Sequence, residues 1–142
     1  WFVVRTAWLY GYVGKNFVKT MVNAARKTGS LTVVDDQLGN PTNAADLAHH
    51  ILKLAVTEEY GVYHCTGEGV CSWYEFTIVR LAGLQATVAP CTSAEYKAAH
   101  PAAADRPAWS ALDNRMLRCT VGDEMRPWKQ ALAAFFENWN GE

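Results

Sequence analysis

The chain has 142 residues, 50% of them hydrophobic, and a formal net charge of −1, enough apolar material for one modest core and so for a single domain spanning 1–142. No run of Lys or Arg gives the electrostatic footprint of a nucleic-acid or anionic-membrane binder, and no apolar stretch approaches the roughly 20 residues of a membrane span. Without a charged leader ahead of an apolar stretch, the expected location is cytoplasmic, with no nucleic-acid or membrane partner.

Phe2, Val3 and Val4 predict a buried strand, and "RTAWLYG" (5–11) sets Trp8 and Tyr10 where that strand should end. In an open α/β sheet, ligands gather beyond the carboxyl ends of the strands. Trp8 therefore has two readings of equal weight: a flat wall for a sugar or base, or a plug at the sheet edge. Phe17, Val18, Met21, Val22 and Ala25 then repeat at helical spacing behind a cap at Asn16, with Gly29 as a stop, which predicts a helix over 16–28. Leu31 to Val34 reads as a strand and 35–41 as a loop. Ala44, Leu47, Ala48, Ile51, Leu52 and Ala55 mark a second helix, with Asn43 and Asp46 placed to cap it.

Gly61 to Cys65 is strand-like, and Ser72-Trp73-Tyr74-Glu75 reads as a capping box opening a third helix to about Gly83. Val88 fits a further short strand, 91–112 reads as loop, and Trp128, Leu132, Phe135, Phe136 and Trp139 form the packing stripe of a last helix begun by Pro127. Strands alternating with helices make the fold class α/β. Cys65, Cys71, Cys91 and Cys119 form no C-x-x-C pair and are expected as reduced, mostly buried thiols; no metal site is expected. His49, His50 and His64 join no catalytic or metal-ligand grouping. "TGEGVCS" (66–72) sits between strand and helix as a dinucleotide turn would, yet it has Ser72 where a third glycine belongs and Glu68 where pyrophosphate would lie, so it reads as a structural turn.

The ordered series "RTAWLYG", "GKNFVKTM", "VVDDQLGNPT", "ADLAHHILKL", "GVYHCTGEGVCSWYEF", "DRPAWSALDN" and "PWKQAL" resembles the C-terminal two-thirds of the dTDP-4-dehydrorhamnose reductase family, extended short-chain dehydrogenase/reductases acting on nucleotide sugars. The resemblance implies the C-terminal substrate-binding portion of such an enzyme, without its N-terminal Rossmann half. It also implies reduction of the 4-keto group of dTDP-4-dehydro-L-rhamnose with NADPH, NADH being the other option. The family's proton donor is a Tyr-x-x-x-Lys pair and its cofactor seat a glycine-rich turn. No tyrosine here has a lysine four residues later, so no catalytic residue is assigned, no tight cofactor binding is expected of this chain alone, and the missing half is its implied partner. A homodimer stays open.

The implied substrate-binding residues are Trp8, Asn16, Gln37, Asn40, Thr42 and Arg106. Asn16 heads a helix, where free N–H groups favour a diphosphate, and a plain cap is the equal alternative. Gln37, Asn40 and Thr42 offer amide and hydroxyl groups from the "DQLGNPT" loop, whose shape Gly39 and Pro41 fix. Arg106 is the expected phosphate clamp, against the alternative of a salt bridge near Asp105. Lys15 and Lys19 read as solvated helix residues. Two other functions remain open: a reductase or epimerase on another nucleotide sugar, and a non-catalytic regulatory homologue such as the regulatory subunit of methionine adenosyltransferase.

Overall fold

Short strands are mixed with helices in the computed structural model, which describes residues 1–81 and 84–139. The elements run β1 (Phe2–Arg5), β2 (Leu9–Tyr10), α1 (Phe17–Thr28), β3 (Ser30–Val34), β4 (Leu38–Gly39), β5 (Thr42–Asn43) and α2 (Ala44–Ala55). They continue as β6 (Gly61–His64), β7 (Cys71–Ser72), α3 (Trp73–Leu81), β8 (Thr87–Cys91), α4 (Ser93–Ala99), α5 (Arg115–Thr120) and α6 (Trp128–Asn138). The expected end of α3 near Gly83 lies outside the described residues.

Local chemistry explains most helix ends. The Asn16 side chain accepts the Lys19 N–H at 3.1 Å, and Gly29, at φ 69°, donates its N–H to the Ala25 carbonyl. Asn43 alone caps α2, accepting the Ala45 N–H at 2.9 Å; Asp46, expected to share that task, instead holds Arg126. Ser72 and Glu75 form the anticipated capping box, each side chain accepting the other's backbone N–H, at 3.0 and 2.8 Å. The stretch read as loop over 91–112 contains α4, opened by a second capping box of Thr92 and Glu95. That helix buries none of its residues, so it carries no apolar periodicity to detect.

The Cα trace divides into two compact units, residues 1–14, 40–69 and 111–142 in one, 15–39 and 70–110 in the other. In the first, β1 and β6 pair in parallel from Phe2↔Gly61 to Arg5↔His64, with α2 directly preceding β6. Leu47, Leu54, Tyr63, Cys65, Leu117 and Met125 form the core, with Phe2, Val4 and Val121 packed against it. The strand is not buried on both faces as expected. Val3 and Val62 stand opposite each other in register and are each 40% exposed. A second apolar group forms where Tyr10 meets Phe135 edge-on at 5.4 Å and Tyr12 stacks on the same ring at 5.0 Å. His50, fully buried, donates from Nδ1 to the Asp46 carbonyl and accepts the Glu124 N–H at Nε2, which fixes its neutral tautomer.

In the second unit, β3 and β8 run parallel and α1 and α3 pack against β3, joined by Phe17 against Trp73 at 4.4 Å. The antiparallel pair β4–β7 gains a third row where Trp109 bridges Leu38 in parallel.

The turn at Gly67–Gly69 is consumed by packing. A Cβ on Gly67 would lie 2.1 Å from the Pro41 carbonyl oxygen, and one on Gly69 would lie 3.1 Å from the Trp128 ring. Between them Glu68 donates its N–H to Arg126 O and accepts the Trp128 N–H, satisfying one of the orphan donors at the start of α6. Gly67→Ala is therefore expected to lower stability by about 3 kcal/mol, since the neighbour in the way is backbone. Urea denaturation checks this; a loss below about 1 kcal/mol removes the close approach as the reason for glycine there.

Candidate functional site

Trp8 sits in the turn from β1 to β2 with φ 47°, the one non-glycine residue at positive φ among those described. A bulky side chain there costs backbone energy, and such strain persists only where surrounding structure enforces it. Enforcement comes from the Thr42 N–H, which donates to the Trp8 carbonyl at 3.2 Å. Thr42 is itself fully buried, its hydroxyl donating to Asn40 O and accepting the Gly67 N–H. Asn40, also buried, donates to Gly69 O at 2.9 Å and accepts the Leu112 N–H at 2.8 Å. Three of the expected ligand residues thus meet in one place, with Asn40 and Thr42 facing the protein and the half-buried Trp8 carried on their frame.

Beside this turn, the Arg126 guanidinium grips both carboxylate oxygens of Asp46, with Nε 3.0 Å from each. Such a bidentate pair is hard to anticipate from residues 80 apart. Burial, aided by the Asp46 charge, pushes the Tyr10 phenol well above its ordinary range. The Cys65 thiol is pushed up to about 12, by burial and then by Asp123 and Asp46, so it is an inert core thiol. Of the other cysteines Cys71 is buried, Cys91 half-buried and Cys119 exposed, fewer buried than expected. No metal-binding group of His, Cys, Asp and Glu occurs among the described residues.

The remaining expected residues lie in the second unit. Asn16 performs the capping role described above. Gln37 donates from Nε2 to the Ser93 hydroxyl at 2.8 Å, while the Asp36 carboxylate accepts the Ser93 N–H and hydroxyl, which hold it below the usual carboxylate range. Arg106 is exposed and, among the described residues, enters no ion pair; Asp105 pairs instead with Lys97 at 3.1 Å. Two residues on, the backbone is fixed: Leu38 donates its N–H to Ala108 O at 2.8 Å and accepts from the Ser110 N–H and hydroxyl. Arg106 thus lies in loop, as the sequence suggests, with no ion pair among the described residues and with the backbone just beyond it anchored to Leu38.

The model of the RmlD substrate binding domain matches residues 1–140. The chain belongs to that family. It is 39% identical to the spore coat polysaccharide biosynthesis protein SpsK of Bacillus subtilis over 137 residues, 95% of this chain and 46% of SpsK. A dTDP-4-dehydrorhamnose reductase from Clostridium acetobutylicum superimposes with a TM-score of 0.88 at 46% identity, covering 96% of this chain and 48% of the reductase. The reductase of Bacillus anthracis, solved in complex with NADP, gives the same TM-score at 41% identity, again over 48% of its length. The chain spans about half the length of these relatives, and its mixed α/β fold is that of their substrate-binding portion. No described helix is long and apolar enough to cross a membrane.

If this RmlD-type chain carries strain at Trp8, two truncations should separate strain from side-chain packing. Both Trp8→Ala and Trp8→Gly lose the indole, but only glycine adopts φ 47° freely, so the Gly variant should be the more stable by about 1 kcal/mol. Urea unfolding of the pair measures it, and an Ala variant as stable as the Gly variant contradicts the strain.

Proposed function

We propose that this chain is the substrate-binding portion of a dTDP-4-dehydrorhamnose reductase, in a cytoplasmic protein about twice its length that reduces the 4-keto group of dTDP-4-dehydro-L-rhamnose with NADPH to dTDP-L-rhamnose. The observation that carries this reading is the 46% identity and 0.88 TM-score to a solved reductase across 96% of the chain. A further support is the exposed, in-register pair Val3 and Val62. Parallel strands are normally covered on both faces, so this face suits packing against another segment of a longer protein.

NADPH supplies a hydride, and the residues of this chain do not fit it. The turn that resembles a dinucleotide seat is filled by the Pro41 carbonyl at Gly67 and by the Arg126 and Trp128 backbone at Glu68. No tyrosine stands four residues before a lysine to donate the proton. The work of this chain is to orient the sugar nucleotide, contributing proximity in place of proton transfer.

Roles follow from what each side chain has left to offer. Arg106, exposed and unpaired, neutralises the diphosphate. Trp8 walls the sugar with its indole, and Asn40 and Thr42 act through the Trp8 turn that they hold. Gln37, steadied by Ser93, presents its carboxamide oxygen to a sugar or base hydroxyl or N–H. Asn16 keeps the first turn of α1 ordered, where free N–H groups favour an anion.

Residues 1–142 alone should give no NADPH oxidation with dTDP-4-dehydro-L-rhamnose, and joining them to the N-terminal half of the reductase should restore it; spectrophotometric turnover by the chain alone overturns this assignment. In that longer protein Arg106→Ala should weaken dTDP and the intact sugar nucleotide equally, by roughly 1.5–3 kcal/mol for a lost charge-assisted contact. Calorimetry giving the parent's dTDP affinity in the variant makes Arg106 a surface residue only.

A further inference from the structure

We propose that Trp109 is the nucleobase-stacking residue of the nucleotide-sugar site, an inference that rests on the reductase reading and adds a residue to it. Trp109 is 62% exposed, although tryptophan is ordinarily well buried because its indole is the largest apolar side chain. It is also held where it is. The carbonyl of Ala108 and the N–H of Ser110, on either side of it, bond to Leu38, and the Ser110 hydroxyl adds a third bond to the Leu38 carbonyl. Leu38 is in turn paired with Ser72 in the β4–β7 ladder.

An exposed ring on a fixed backbone has only two side-chain torsions left to order, so it binds a flat partner at low entropic cost. The chemistry around it selects that partner. Arg106 lies three residues upstream, within about 10 Å of chain, and is exposed and unpaired among the described residues, while Asp105, the carboxylate that could compete for it or repel phosphate, is engaged by Lys97. A guanidinium for phosphate and an indole for a base, presented from one short segment, fit a nucleoside diphosphate. Stacking does not read hydrogen-bond edges, so Trp109 favours the presence of a base over its identity.

The test uses the reductase of catalytic length that carries this chain, titrated by displacement calorimetry with dTDP, UDP and inorganic pyrophosphate. Trp109→Ala should weaken both nucleotides roughly tenfold while pyrophosphate stays within about twofold, and Trp109→Phe should keep most of the nucleotide affinity. Arg106→Ala should weaken all three. Urea midpoints equal to the parent's confirm that the variants are folded. Unchanged nucleotide affinity in Trp109→Ala, or an equal loss of pyrophosphate, overturns the stacking role. A parent that holds dTDP no better than pyrophosphate overturns the nucleotide reading itself and this inference with it, a result distinct from a variant that binds dTDP as its parent does.

Discussion

Buried asparagine side chains tie together backbone segments that no sheet ladder joins. Several strands have only two residues, β2, β4, β5 and β7 among them, and chain that enters and leaves a sheet so quickly has few ladder partners for its N–H and C=O groups. Each unpaired buried backbone group costs about as much as a lost hydrogen bond. Asn40 bonds the backbone of Gly69 and Leu112, Asn43 that of Ala45 and Ala131, and Asn114 both the N–H and the carbonyl of the buried Thr66. A carboxamide suits the work because it donates and accepts at once, at fixed separation, without a charge to desolvate.

The same economy sets the geometry of the Trp8 turn in the first unit. Thr42 is locked between Asn40 and Gly67, and its N–H carries the Trp8 carbonyl. Gly67 must approach the Pro41 carbonyl more closely than any side chain permits. The strained Trp8 backbone is thus the end of a buried polar chain, which is how a half-buried aromatic can be fixed in position by groups beneath it. In the second unit the corresponding device is the row of bonds from Leu38 to Ala108 and Ser110, which turns a polar, alanine-rich stretch into a fixed support beside Arg106 and Trp109.

Much of the fold was legible in the residues. Four of the helices, α1, α2, α3 and α6, were expected within a residue or two at their starts because caps and apolar spacing act over a single turn. Helix α4 escaped because it buries nothing, although Thr92 and Glu95 carried the same capping signal that was recognised at Ser72 and Glu75. Helix α5, six residues with only Leu117 buried, is too short to show a period. Of the candidate site, residue identities were visible in "RTAWLYG", "DQLGNPT" and "DRPAWS", and the first segment already raised the choice between wall and plug for Trp8. What was not visible was which polar groups the protein spends on itself.

By itself the sequence determined the α/β class, the caps at Asn16, Asn43 and Ser72, the family, and the absence of a Tyr-x-x-x-Lys pair within these residues, because each of these is written in neighbours a few positions apart or in ordered motifs. The tertiary structure alone decided that Asn40 and Thr42 face inward, that Asp46 holds Arg126, that Gly67 is required by a carbonyl, and that Trp109 stands exposed on a backbone anchored to Leu38. The reason is range: the Asn40 carboxamide meets an N–H 72 residues away and Asp46 meets a guanidinium 80 residues away. No local propensity encodes a partner at that separation; only the packed chain brings the two groups together.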